Sequence, residues 1–240
     1  FKYATTMWAN GGQISFTSDN ASSSIWSGIE IMDVAQANNP SEFFSSSNTS
    51  PAIGITAYST GGPAFEAAYY ASAINKVYMQ ATGTGGITIS GTNRSTTLNR
   101  PEVGFNGANI LSAGPITINT ATTTAGVGGF FDSALGGSGT YAASNVGYCA
   151  VATCPLSLVP SSSGNIVVNT NRQASYQNTI DINFNTTGTV SFVPTLSTGF
   201  VNQAPSVDVK ISSDCTGLTI GKDQSTNTWA YSSVGAYSIA

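Results

Sequence analysis

The residues closest to a catalytic arrangement are Glu30 and Asp33, in the run Gly28-Ile29-Glu30-Ile31-Met32-Asp33 just after Trp26. A Glu held against an aromatic wall can keep its proton near neutrality. With a second carboxylate such as Glu66 or Glu102 it would supply the acid and base of a glycosidase or an acid protease. The plainer reading is the stronger one: in an alternating strand Ile29 and Ile31 pack inward and Glu30 faces solvent, and a site needs several convergent groups rather than one acid on a strand. No His occurs in the 240 residues, so neither a Ser-His-Asp nor a Cys-His arrangement can be built. The Gly-rich loops lack the Lys and helix start of a phosphate cradle. These residues predict a protein that is not an enzyme and carries no cofactor.

Cys149, Cys154 and Cys215 allow one disulfide with one thiol left over. In an exported protein a pair is favoured, with Cys149 and Cys154 close in sequence and Cys215 the distant option; the alternative is three buried thiols acting as small hydrophobes. Three cysteines without His fall one ligand short of a tetrahedral site, so no metal is expected. Four Asn-X-Ser/Thr acceptors stand at Asn20, Asn48, Asn93 and Asn185, in or beside turn-like polar stretches where a glycan could be carried. Asn20 and Asn48 lie in the most Ser-rich surroundings.

Only 8% of residues are charged, against roughly 25% in ordinary soluble proteins. Ser, Thr, Asn and Gly must cover the surface, and such groups do not titrate, which suits a harsh exterior. Glycans would supply the solvation that charges do not. A net charge of −4 has the wrong sign for gripping phosphate backbones, so nucleic acid is not an expected partner. No stretch approaches the roughly 20 apolar residues that span a bilayer.

The elements that would position any site are strands. Period-two alternation recurs in Gln13-Ile14-Ser15-Phe16-Thr17, Ile87-Thr88-Ile89-Ser90, Ile116-Thr117-Ile118-Asn119, Ile180-Asp181-Ile182-Asn183-Phe184 and Ser206-Val207-Asp208-Val209-Lys210-Ile211, the signature of half-buried strands. Gly-Gly, Ser-Gly and Pro-containing breaks separate them. An all-β chain follows, and short strands with closely spaced turns describe an immunoglobulin-like or pilin-like β-sandwich. One short helix is expected at 64–74, where Pro63 precedes an alanine-rich run. Residues 41–51, 126–139 and 160–164 read as loops, and the absence of a fixed repeat period disfavours a solenoid.

The first nine residues form an apolar, strand-prone leader cut off by Asn10-Gly11-Gly12. A chain that opens on Phe predicts trimming of a precursor, with a cleaved signal peptide. One face of the leader carries Phe1, Tyr3, Thr5, Met7 and Ala9, and the other Lys2, Ala4, Thr6 and Trp8. Two placements are open: the leader folds back into its own sheet, or it is donated to a neighbouring subunit, whose edge it pairs and whose groove it fills. Donation is head-to-tail and gives a filament.

With the leader 1–9, the Ser/Thr/Asn/Gly-rich β body and the acceptors Asn20, Asn48, Asn93 and Asn185, the chain resembles subunits of archaeal surface threads, the glycosylated crenarchaeal filaments linked by donor-strand complementation. The resemblance implies residues 1–12 as donor strand and hinge and 13–240 as a single sandwich body. It implies an extracellular, glycosylated structural subunit that polymerises into a homopolymer and serves adhesion or biofilm cohesion. The single early disulfide of bacterial chaperone-usher pilins is not reproduced, so their assembly route is not carried over. The competing class is a secreted carbohydrate-binding or acid-active carbohydrate-cleaving sandwich, with Trp26, Tyr69, Tyr70 and Trp229 as sugar platforms.

Overall fold

In the computed structural model the described residues are 5–21, 27–33, 41–69, 77–94, 102–122, 130–131, 143–148, 161–170, 172–173, 180–193, 201–202, 207–211, 215–220 and 237–239. All regular structure among them is strand, which meets the all-β expectation. The strands follow one another in coils, each crossing three sheets in the order A, B, C. The first coil is β1 (Thr6–Ala9), β2 (Ile14–Asn20) and β3 (Ile29–Asp33); the second is β4 (Ser41–Ser45), β5 (Ile53–Ser59) and β6 (Phe65–Tyr69). The third is β7 (Val77–Ala81), β8 (Ile87–Asn93) and β9 (Val103–Asn106); the fourth is β10 (Ala108–Ser112), β11 (Ile116–Thr122) and β12 (Phe130–Phe131). The fifth is β13 (Ser144–Gly147), β14 (Ile166–Asn169) and β15 (Arg172–Gln173), and the sixth is β16 (Ile180–Asn185), β17 (Thr189–Val193) and β18 (Val201–Asn202). β19 (Val207–Ile211) in sheet A and β20 (Gly217–Ile220) in sheet B follow, and β21 (Tyr237–Ile239) returns to sheet A beside β19.

Each strand pairs in parallel with its counterpart in the next coil, giving sheets of eight, seven and six strands. The fold is therefore a three-sided parallel β-solenoid, and the expected antiparallel sandwich is corrected. A sandwich needs hairpins, and none of the described connections returns a strand antiparallel to its predecessor. Coils pairing in parallel rise about 4.8 Å each, so the first seven rungs of sheet A span about 29 Å.

The register explains why these segments become strands. Ile14, Ile53, Ile87, Ile116, Ile166 and Val190 stack rung upon rung on the inner face of sheet B, and all six are buried. Phe43, Met79, Ile110, Val146 and Phe184 form the matching inner row of sheet A. Phe65 and Val103 continue the row of Ile29 in sheet C. Alternation places every second residue in one shared core, and aromatic pairs lock sheet to sheet, Phe16 edge-on to Phe43 at 5.4 Å and Phe184 edge-on to Phe192 at 5.4 Å. At the corner between sheets A and B the coils touch backbone to backbone. Gly86 there has φ of 75° and no room for a Cβ beside the carbonyl oxygen of Pro115.

Three further expectations are corrected. The segment after Pro63 is strand β6 rather than helix over Phe65–Tyr69, because Phe65 and Ala67 pack inward between β3 and β9 and this burial overrides the helix preference of alanine; residues 70–74 lie outside the described residues. Residues 41–45 are strand β4 rather than loop, with Phe43 in the core. The solenoid itself went against the missing period. From Ile14 to Ile53 is 39 residues, from Ile116 to Ile166 50, and from Ile166 to Val190 24, so insertions between strands erase any fixed repeat.

Sheet B presents three outward columns, of which one begins Asp19, Tyr58, Thr92. The second runs Thr17, Thr56, Ser90, Asn119, Asn169, Val193, and the third Ser15, Gly54, Thr88, Thr117, Val167, Ser191. All twelve positions of these two are at least partly exposed.

Candidate functional site: the open edge of the first coil

β1, β2 and β3 each begin the strand order of their sheet. Together they make one end of the coil a sheet edge. In β1 the ladder to β4 uses alternate residues: the Glu42 amide donates to the Thr5 carbonyl at 2.8 Å, the Ser46 amide to the Ala9 carbonyl at 3.2 Å, and the Thr5 amide to Ser41 Oγ at 3.4 Å. Alternation turns the backbone groups of Thr6 and Trp8 toward the open side. In β2 the Ile14 amide donates to Ala52 at 2.9 Å, so Ser15 and Thr17 turn theirs outward. Natural edges are commonly blunted with Lys or other charged residues, or with Pro; β1 and β2 contain no Lys and no Pro, and Asp19 near the end of β2 is their one charged residue. Trp8 is 65% exposed and Met7 37%.

The predicted donor residues fall at this edge. Thr5, Met7 and Ala9 lie against β4 of the same chain, with Met7 in register with Phe43 and Ala9 with Ser45. Of the two placements open to the leader, Thr6–Ala9 takes the first here, its inner side paired with β4 of the same chain, as local pairing of sequential strands favours. Phe1 and Tyr3 lie outside the described residues.

The four sequons divide by burial. Asn48 is exposed, and its Oδ1 accepts from the Thr84 amide at 3.0 Å and from Thr84 Oγ1 at 3.2 Å. Asn20 ends β2, partly exposed. Asn93 and Asn185 are buried, with Nδ2 donating to Gly62 O at 3.3 Å and to Tyr148 O at 2.9 Å. At these two, the atom that would carry a sugar is a buried donor in the folded chain.

Among the carboxylates, register sets Glu30 beside Glu66 on the outward side of sheet C, an adjacency that separation by 36 positions hid from the sequence. Glu66 is buried, with Ser27 Oγ donating to its Oε2 at 3.3 Å. Glu102 is directed elsewhere, its Oε1 accepting from the Asn93 amide at 3.4 Å. Asp33 pairs in register with Tyr69. Cys215 is half-buried against the core, while Cys149, Cys154, Trp26, Tyr70 and Trp229 lie outside the described residues. No group of three metal-ligating side chains, and no helix long and apolar enough to cross a membrane, occurs among the described residues.

Sequence reasoning missed two rows of side-chain amides. On sheet B, Asn169 Nδ2 donates to Asn119 Oδ1 at 2.7 Å and Asn119 Nδ2 to Ser90 Oγ at 3.1 Å. On sheet A, Asn183 Nδ2 donates to Asn145 Oδ1 at 3.2 Å and Asn145 Nδ2 to Asn109 Oδ1 at 2.8 Å. The signal was an Asn at corresponding positions of successive strands, readable only once the register is known. Comparison of the chain with protein-family models, curated proteins and solved structures returned no match.

Proposed function

We propose that this chain is a structural subunit of an extracellular, glycosylated surface filament, extended head-to-tail by adding coils at the open edge of β1 and β2. The observation that carries the reading is the edge itself: outward backbone groups at Thr6, Trp8, Ser15 and Thr17, unprotected by Lys or Pro, with Trp8 exposed beside them. A strand laid along this edge continues the ladder and covers the indole, the mode of recognition in which main-chain bonds give affinity and alternate side chains give fit. The opposite ends of the sheets are β21, β20 and β18. An edge of one copy meeting the far end of another is a heterologous contact, which propagates instead of closing. The low charge of the chain and the exposed sequon at Asn48 support a glycosylated exterior setting. The strand that joins copies is thus an edge in place, and not a loose leader.

Proline scanning tests this. Thr6→Pro and Ser15→Pro remove amides that face away from the chain's own ladder, and proline is tolerated at such edge positions. Met7→Pro removes an inward-facing one. Sedimentation and negative-stain microscopy of the native chain should show concentration-dependent rods that the double variant Thr6→Pro/Ser15→Pro abolishes while its melting temperature as a monomer is kept, and Met7→Pro should damage the fold. A native chain that stays monomeric at all concentrations overturns the proposal.

A further inference from the structure

We infer that Asn10 is a self-modifying residue: its side-chain amide is exchanged for a carboxylate by ring closure onto the Gly11 nitrogen, with the Ser46 hydroxyl as proton relay. Two Asn-Gly pairs occur in the chain, Asn10-Gly11 and Asn106-Gly107. The first stands in the exposed turn between β1 and β2, whereas Asn106 is only 1% exposed.

The geometry at the first pair is particular to it. The Gly11 amide donates to Ser46 Oγ at 2.7 Å, and Ser46 Oγ donates to Asn10 Oδ1 at 3.1 Å. One hydroxyl, able both to accept and to donate, thus touches the attacking nitrogen and the oxygen of the carbonyl to be attacked. Two more bonds to the second coil fix the turn, from the Ser46 amide to the Ala9 carbonyl at 3.2 Å and from Ser45 Oγ to the Gly12 carbonyl at 2.6 Å. Reacting groups held in this way have lost their orientational freedom in advance. Gly11 has no side chain to screen its nitrogen, and open space lies where a Cβ would stand.

These contacts define the steps. The Gly11 nitrogen bonds to Asn10 Cγ while its proton passes to Ser46 Oγ and the Ser46 proton passes to Oδ1, so the tetrahedral centre forms without net charge. The Cγ–Nδ2 bond then breaks, the new hydroxyl proton leaves with the nitrogen, and ammonia is released. Water opens the resulting five-membered imide at either carbonyl, giving an aspartyl or isoaspartyl residue at position 10. The net change is one water taken up and one ammonia lost. The other ring closure, in which Nδ2 attacks the Asn10 main-chain carbonyl and the chain is cut, needs a proton delivered to the Gly11 nitrogen. That nitrogen is here a donor, to an oxygen whose own proton is directed at Oδ1.

The product sets a negative charge at the corner where β1 ends, beside edge strands whose one charged residue is Asp19. Taken with the proposed assembly, on which this consequence alone rests, conversion of Asn10 blunts the edge and ends growth at that molecule.

The test is incubation of the full chain in heavy-oxygen water, with peptide mass spectrometry at positions 10 and 106 and a parallel run in urea. It is repeated on Thr6→Pro/Ser15→Pro, so that conversion is read whether or not rods form. The folded chain should convert Asn10 at least about tenfold faster than the urea-unfolded chain, and should leave Asn106 unchanged. Ser46→Ala should slow conversion of Asn10 by about tenfold or more, Ser46→Thr should restore it, and in urea the three forms should not differ. From about pH 5 to 8 the native rate should rise less steeply than that of the unfolded chain, a flattening that Ser46→Ala removes. Circular dichroism and melting temperature confirm that each variant folds. The inference is overturned by conversion no faster in the folded than in the unfolded chain, by an unchanged or raised rate in Ser46→Ala, or by cleavage after Asn10 in place of the exchange.

Discussion

The indole of Trp8 lies 5.2 Å from the ring of Phe44, tilted by 38°, one coil away in the same outward column of sheet A. Trp8 is covered on that side and bare on the other, because β1 has no further strand beyond it in the sheet order. A ring in that position reports on whatever next occupies the edge. Trp8→Ala should lower monomer stability by only about 1 kcal/mol, the value of an aromatic pair. In the native chain, tryptophan emission should shift to the blue as concentration rises, a shift that Trp8→Ala removes.

The core pair of Phe184 and Phe192 joins sheets A and B edge-on, and both side chains are buried. Phe184→Ala should cost about 3–5 kcal/mol by leaving a cavity. Coils contact chiefly their neighbours, so the loss of amide protection in hydrogen exchange should be greatest in β13, β16 and β19 and smallest in β2 and β5.

Two glycines with the same φ of 75° separate conformational strain from collision. Gly11 has open space where a Cβ would stand, whereas Gly86 has the Pro115 carbonyl there. Gly11→Ala should cost about 1 kcal/mol, and Gly86→Ala at least about 2 kcal/mol more, because a neighbouring coil must move. Urea denaturation of the two variants checks the difference.

Tyr78 gives the chain an alkaline limit. Burial, and secondarily the Glu42 carboxylate beside it, push its phenol up to about 12. The folded state therefore holds this proton more tightly than the unfolded chain, in which a Tyr titrates near 10. The stabilisation is fully present below about pH 10 and is lost between about 10 and 12, at up to roughly 1.4 kcal/mol per pH unit. Measured against Tyr78→Phe, the native chain should lose more stability from pH 9 to pH 11.

Glycan occupancy should follow burial. In material from a glycosylating host, mass spectrometry should find sugar at Asn48 and none at Asn93 or Asn185. Asn48→Gln should leave stability within about 0.5 kcal/mol. Asn185→Ala should cost about 1–3 kcal/mol by removing the Nδ2 bond to the Tyr148 carbonyl and emptying a buried site.

Alternation made β2, β8, β11, β16 and β19 legible, and with them the all-β class and the inward placement of Ile29 and Ile31. The coil was not legible, since partners in the ladder such as Ile116 and Ile166 are separated by long and unequal insertions. β4 was hidden because Ser41 and Ser45 occupy inward positions that a hydrophobic pattern would fill with aliphatics. Ser45 Oγ is satisfied there by donating to the Gly12 carbonyl at 2.6 Å, a bond between coils that no local pattern announces. The second half of the leader is a strand, as its apolar pattern suggests, but its partner within the chain, β4, could not be picked out from the sequence because it lies 36 positions away.

Both amide rows run the same way: Asn119 and Asn169 on sheet B, and Asn145 and Asn183 on sheet A, each give a hydrogen to the coil that precedes them. Reversing a molecule would reverse this sense, so the protein is chemically an arrow. Arrows laid tip to tail all point one way along a stack, whereas two tips brought together would not. Any thread made of this chain would therefore have two unlike ends and would grow differently at each.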